Sequence, residues 1–202
     1  MPPLGRLYLL FTPSLCRADP LDTLEAALCG GVDLVQWRSE TADRAALDAA
    51  RARCAAHGAP LLVNDDVMLA MRADCDGAHV GQEDMQAHAA RKLMFKKLLG
   101  VSTHDLDQIR AAALARADYV GFGPCHATAT KGYEQGVGHD LVAAAAELCA
   151  ELQLPMFAIG GITPQNLPRL TECGVRRAAV SSYVLQHEDP AEAARLLRAA
   201  LR

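Results

Sequence analysis

Leu7-Tyr8-Leu9-Leu10-Phe11-Thr12-Pro13-Ser14-Leu15-Cys16 holds five apolar residues in a row and then a polar turn that lacks glycine. A strand that is apolar along its whole length is buried on both faces, the condition of a parallel sheet covered by helices. Two architectures meet that condition: an open, doubly wound sheet and a closed barrel. The open sheet normally carries a glycine-rich phosphate fingerprint directly after its first strand. Thr12 to Cys16 has no glycine to supply it. The stretch therefore favours the barrel.

The remaining sequence repeats that unit. Apolar segments recur at 32–37, 60–63, 77–80, 98–101, 119–122, 156–159 and 178–180, each followed by a helical pattern. Asp19-Pro20 places an N-cap before a proline at the first helical position, and Asp189-Pro190 does the same for the last helix. Thr163-Pro164 reads as the start of the seventh helix. In the sixth, Leu141, Ala144, Leu148 and Leu152 fall on one stripe. Eight strands alternating with eight helices over residues 1–202 predict an α/β fold, a single-domain (β/α)8 TIM barrel near the small end of its range.

Composition narrows the function. The chain has 202 residues, 51% of them hydrophobic, enough for a full core. A net charge of −4 without a basic stripe argues against nucleic acid as a partner. No apolar run approaches a membrane span. Seven cysteines without a C-x-x-C pair, and no secretory segment before them, read as reduced thiols in a cytoplasmic protein. Histidines and cysteines are scattered along the chain, which disfavours zinc.

Strand ends of a barrel converge on one mouth, and here they are polar. Gly160-Gly161 after strand seven and Ser181-Ser182 after strand eight fit a phosphate cradle, because glycine lets backbone N–H groups approach an anion. Around the same mouth stand Gln36, Arg38, Asn64, Asp65, Asp84, Ser102, Thr128, Thr130 and Lys131. Asp65 and Asp84 each fit a helix N-cap when taken singly. Facing an arginine and a lysine, the pair better suits a hard, mostly hydrated Mg2+. Arg38, Lys131 and the hydroxyls then suit a diphosphate. Two anion sites at one mouth point to the joining of two phosphorylated molecules.

Gln36-Trp37-Arg38, Asn64-Asp65, Gly81-Gln82-Glu83-Asp84, Gly100 to His104, Gly123-Pro124 with Thr128-Ala129-Thr130-Lys131, and Ala158 to Ile162 stand together in one order. In these motifs the chain resembles the thiamine-phosphate synthase family over nearly its whole length. The resemblance implies a barrel enzyme that joins hydroxymethylpyrimidine diphosphate to hydroxyethylthiazole phosphate with Mg2+, releasing diphosphate. It implies Asp65 and Asp84 as metal ligands, and Gln36, Arg38, Asn64, Ser102 and Lys131 on the pyrimidine diphosphate. Arg38, Ser102 and Lys131 are the residues expected to carry catalysis. Thr128, Thr130, Gly161, Ser181 and Ser182 would meet the thiazole phosphate or nearby oxyanions. The implied mechanism is dissociative, needing charge neutralisation and positioning rather than a strong base.

Two positions depart from that pattern. Glu40 stands where the family's Gln-x-Arg-x-Lys carries lysine, turning a cation for the diphosphate into an anion. His126 replaces an aromatic in the loop after strand six and reads as a packing ring; its functional reading is the acid/base residue of a thiazole tautomerase. The other histidines, His79 among them, read as packing or surface residues, and His104 as a residue at a helix start. Trp37 should point away from the mouth if Gln36 and Arg38 point toward it, since strand neighbours alternate. The competing functions are that tautomerase and a non-catalytic binder of thiamine precursors. Oligomeric state is left open.

Overall fold

The computed structural model describes residues 4–39, 43–127 and 135–201. Eight parallel strands close into a barrel in sequence order. They are β1 (Leu7–Phe11), β2 (Leu34–Trp37), β3 (Leu61–Asn64), β4 (Gly77–Val80), β5 (Leu98–Thr103), β6 (Tyr119–Phe122), β7 (Met156–Ile159) and β8 (Ala178–Val180). The barrel closes where Tyr8 of β1 stands beside Ala179 of β8. Helices α1 (Pro20–Cys29), α2 (Arg44–Ala56), α3 (Val67–Arg72), α4 (Ala87–Met94), α5 (Leu106–Leu114), α6 (His139–Glu151) and α7 (Leu167–Glu172) each follow the strand of the same number. After β8 comes a single turn, α8 (Ser182–Leu185), and then α9 (Pro190–Ala200), which packs against α1. This is the (β/α)8 barrel that the sequence pattern predicts.

Alternation along each strand divides the apolar residues into two cores. Tyr8, Leu10, Leu34, Leu62, Leu98, Tyr119, Phe157 and Ala179 fill the lumen. Their neighbours, among them Leu9, Val35, Val63, Val101 and Val180, face the helices with Leu24, Leu47, Ile109 and Leu197. Trp37 belongs to this outer core, its ring 5.8 Å from that of Phe11. It points away from the lumen, as alternation requires.

Aspartates fix the helix starts. Asp19 accepts from the Leu21 and Asp22 N–H groups at 2.9 and 3.0 Å, and Asp189 from Glu192 at 3.0 Å. Asp43, Asp66 and Asp105 cap α2, α3 and α5 in the same way. Each such cap is worth about 1 kcal/mol. A second set of aspartates stitches the opposite end of the barrel. Asp33, just before β2, accepts from Leu7 N–H at 3.0 Å; Asp76, just before β4, from Leu61 at 2.8 Å; Asp118, just before β6, from Leu99 at 2.7 Å. Each ties the start of one strand to the start of the next.

Three local expectations need correction. The second strand begins at Leu34 rather than at 32, because Gly31 (φ 101°) turns the chain there and Val32 N–H still bonds back to Ala27. In α6 the buried stripe is Val142, Ala145 and Cys149, one position round from the expected one, and Leu152 is 39% exposed. An alanine-rich helix has little side-chain volume to mark its inner face, so one larger residue decides the rotation. Helix α7 starts at Leu167, not at Thr163-Pro164. Asn166 explains the delay: its Oδ1 accepts from Thr163 N–H at 2.9 Å and its Nδ2 donates to Gly161 O at 2.8 Å, holding the segment as a turn.

Candidate active site

The C-terminal strand ends open into a cavity of about 290 Å³, walled by the ends of β1, β2, β5, β6, β7 and β8. Arg38, Ser102, Gly160, Gly161, Ser181 and Ser182 line it, so the two groups expected to bind anions share one space. His104 lines it as well. That residue precedes the α5 cap Asp105, and its ring pairs with Gly123 O at 2.6 Å, pinning the loop after β6.

Gly160 and Gly161 take φ values of 105° and 56°, open to glycine and strained for other residues. Space is equally short. A Cβ on Gly160 would stand 2.8 Å from Pro124 Cα, and one on Gly161 2.4 Å from Ala127 O. The β7 turn is thus pressed backbone to backbone against the loop after β6. Ser181 Oγ donates to Leu10 O at 3.0 Å, tying β8 to β1. The Val184 and Leu185 N–H groups of α8 bond back to Ser181 O, while Ser182 and Tyr183, whose N–H groups open the turn ahead of that bond, stand at the cavity wall.

Asn64, Asp65 and Asp84 lie outside this cavity's lining, at the ends of β3 and β4 on the same rim. Asp65 is exposed and sits at φ 62°, its N–H donating to His79 O on β4 at 2.7 Å and its Oδ2 accepting from Asn64 Nδ2 at 2.5 Å. A non-glycine residue there costs roughly 1–3 kcal/mol, and such strain clusters at functional sites. Asp84 Oδ2 accepts from Gly81 N–H at 2.7 Å. Neither is a helix N-cap: Asp66 fills that place for α3 and Gln86 for α4. What remains is two exposed carboxylates on adjacent strand ends. Hard oxygen donors on an exposed rim suit a hydrated divalent ion.

Thr128, Thr130, Lys131 and Glu40 fall outside the described residues. His126 is half-buried, its ring 6.2 Å from that of His139, and its Nε2 has no hydrogen-bond partner among the described residues. Burial, and then His139, hold its pKa below the usual histidine value. Away from the mouth, Glu25, Cys29 and His57 come within 4.8 Å of one another, a juxtaposition that their sequence spacing hides. Glu25 already pairs there with His57 at 2.7 Å and Arg53 at 4.0 Å.

Below the mouth a polar array joins Gln36 and Ser102, both expected at the pyrimidine diphosphate, through Tyr8, Tyr119 and His79, to which the sequence assigned no such role. Gln36 is buried, and its Nε2 donates to Tyr8 Oη at 2.7 Å. Tyr8 Oη lies 2.7 Å from Tyr119 Oη, Tyr119 Oη 3.0 Å from His79 Nδ1, and His79 Nε2 2.8 Å from Ser102 Oγ. Burial pushes both tyrosine hydroxyls up, so they stay protonated. His79 is thus neither a surface residue nor a simple packing ring. The signal available was parity: in Gly77-Ala78-His79-Val80 the histidine shares its face with Gly77, opposite the outward Ala78 and Val80.

Comparison with known proteins accords with this geometry. The sequence model of the thiamine monophosphate synthase family matches residues 7–184. The chain belongs to that family. A thiamine-phosphate synthase of Synechococcus sp. (strain CC9605) is 46% identical over 196 residues, covering 95% of this chain and 54% of that one. That of Geobacillus kaustophilus is 40% identical over 204 residues, covering 97% and 91%. The chain thus spans about half the length of its cyanobacterial relatives and nearly all of the Geobacillus one. A thiamine phosphate pyrophosphorylase from Pyrococcus furiosus superposes with a TM-score of 0.85 at 26% identity, covering 97% of this chain and 95% of that one.

Proposed function

We propose that this chain is a thiamine-phosphate synthase, a transferase that couples hydroxymethylpyrimidine diphosphate to hydroxyethylthiazole phosphate. The observation that carries this reading is a single mouth where a Gly-Gly and Ser-Ser wall, Arg38 and Ser102 share a cavity beside the carboxylates of Asp65 and Asp84. The names of its relatives, thiamine-phosphate synthases, support the same product.

In this reading the bond between the pyrimidine methylene carbon and the diphosphate oxygen breaks, and its electron pair leaves on oxygen. The methylene cation is stabilised by the ring's amino group. The thiazole nitrogen then donates its lone pair to that carbon, giving thiamine phosphate. Asp65 and Asp84 would hold Mg2+, which supplies charge neutralisation for the departing diphosphate. Arg38, Asn64, Gln36, Ser102 and Lys131 orient the diphosphate substrate. Gly161, Ser181, Ser182, Thr128 and Thr130 anchor the thiazole phosphate, so the nucleophile is held close to the carbon it attacks. No side chain need remove a proton in the bond-forming step, which agrees with a mouth rich in anion donors.

The test supplies both substrates with and without Mg2+ and follows diphosphate. Release that needs the metal and both substrates is expected. Isomerisation of the thiazole without metal, or binding without turnover, would replace this function with a tautomerase or a binder.

A further inference from the structure

We propose that Tyr119 and His79 are positioning residues: the hydrogen-bonded chain Gln36–Tyr8–Tyr119–His79–Ser102 runs in one direction through the barrel lumen and turns the Ser102 hydroxyl proton into the cavity. The subsite at Ser102 is then built for a hydrogen-bond acceptor on the substrate, either an oxyanion or an unprotonated ring nitrogen. The inference deepens the function proposed above and rests on it for the identity of the substrate.

Direction follows from proton counting. Gln36 Nε2 carries two protons and no acceptor capacity, so its bond to Tyr8 at 2.7 Å fills an acceptor site on that oxygen. Tyr8 Oη could accept a second bond from Tyr119, but its own buried proton would then have no acceptor on the chain; the arrangement that satisfies every buried O–H gives the Tyr8 proton to Tyr119 Oη at 2.7 Å. Tyr119 in turn has one proton, and His79 Nδ1 at 3.0 Å is its acceptor. A neutral imidazole that accepts at Nδ1 carries its proton at Nε2, which donates to Ser102 Oγ at 2.8 Å. Ser102 therefore enters the cavity with its own proton uncommitted to the chain. Its backbone is held too, since Gln82 Nε2 donates to Ser102 O at 2.5 Å.

The lumen is shaped around this chain. A Cβ on Gly100 would stand 2.3 Å from Tyr119 Oη and 2.5 Å from His79 Nδ1, on top of the link between them. Gly121 is less constrained, since a Cβ there would make only ordinary contact with the imidazole, 3.4 Å from His79 Cε1. Tyr8, Tyr119 and Phe157 brace one another with ring centroids 5.2–5.6 Å apart, so the phenols cannot swing out of line without disturbing a packed lumen. Apolar packing alone would be served by phenylalanine at both tyrosine positions.

The decisive experiment reads the His79 tautomer by 15N NMR on the substrate-free protein, and then the kinetics of Tyr119→Phe, His79→Gln and His79→Asn. The Nε2–H form is expected in the native protein, with Tyr119→Phe losing that bias while still folding. Tyr119→Phe should lower kcat roughly ten- to a hundredfold, less than outright removal of an oxyanion donor, with little change in KM. Glutamine places an amide nitrogen where Nε2 stood and asparagine where Nδ1 stood, so His79→Gln should retain more kcat than His79→Asn. An Nδ1–H tautomer in the native protein would overturn the direction. Native kinetics in Tyr119→Phe, or asparagine outperforming glutamine, would overturn the positioning role. Because the tautomer is read without substrate, it decides the direction even if the proposed coupling reaction is not observed.

Discussion

Asp65 concentrates the residue-scale evidence. Its backbone is held in the left-handed region that asparagine also tolerates. Asp65→Asn should therefore leave the melting temperature unchanged while removing the charge proposed to hold Mg2+. Diphosphate release should fall by at least about 100-fold, as loss of a metal ligand should cost no less than loss of its outer-shell support. Equal losses of stability and activity would instead make Asp65 a structural residue. Glu40 carries a second prediction. If its carboxylate faces the diphosphate, Glu40→Lys lowers the KM for that substrate, and unchanged kinetics refute an inward Glu40. Single residues were unevenly legible in the sequence. The strand-end positions of Asp65 and Asp84 could be read from the sequence, whereas the place of His79 could not, because its contacts are to Tyr119 and Ser102, forty and twenty-three positions further along the chain.

At the scale of elements, turns and stitches matter more than strands. Gly161→Ala forces a left-handed alanine whose Cβ would meet Ala127 O at 2.4 Å. It should cost about 1 kcal/mol or more in thermal stability. It should also raise the KM for the thiazole phosphate more than for the diphosphate substrate. Asp33 shows the other end of the barrel. Burial alone would raise its carboxyl, but the Arg198 guanidinium at 2.6 Å and the Arg6 and Leu7 N–H groups hold it below the usual carboxylate range. A carboxylate depressed on folding stabilises above its unfolded pKa, and that contribution is lost as pH falls through its folded value. Asp33→Asn should thus cost about 1–3 kcal/mol near pH 7 in denaturant titrations. The gap to the native protein should close as pH falls below the ordinary carboxylate pKa, about 3.9. The helix caps at Asp19 and Asp189 were legible because a cap is a local pattern. The Asp33, Asp76 and Asp118 stitches were not, since each bonds a backbone 15 to 26 residues earlier.

For the molecule as a whole, the closed barrel brings the strand ends, from Phe11 of β1 to Val180 of β8, onto one rim, and this convergence gathers residues that share no local motif. The count of apolar strands, and a first loop without glycine, made that architecture readable from sequence. Sector positions on the rim were less so: Arg38, Ser102, Gly161, Ser181 and Ser182 line the cavity, while Asn64, Asp65 and Asp84 stand beside it. Strand order places β3 next to β4, which is why one ion shared by Asp65 and Asp84 is the simplest arrangement. That sharing is open to direct measurement by titrating diphosphate release with Mg2+ in the native protein, Asp65→Asn, Asp84→Asn and the double variant. A shared ion predicts that each single change raises the Mg2+ requirement and that the double change is little worse than the more severe single one. Release that ignores Mg2+, or losses that simply add, would contradict it.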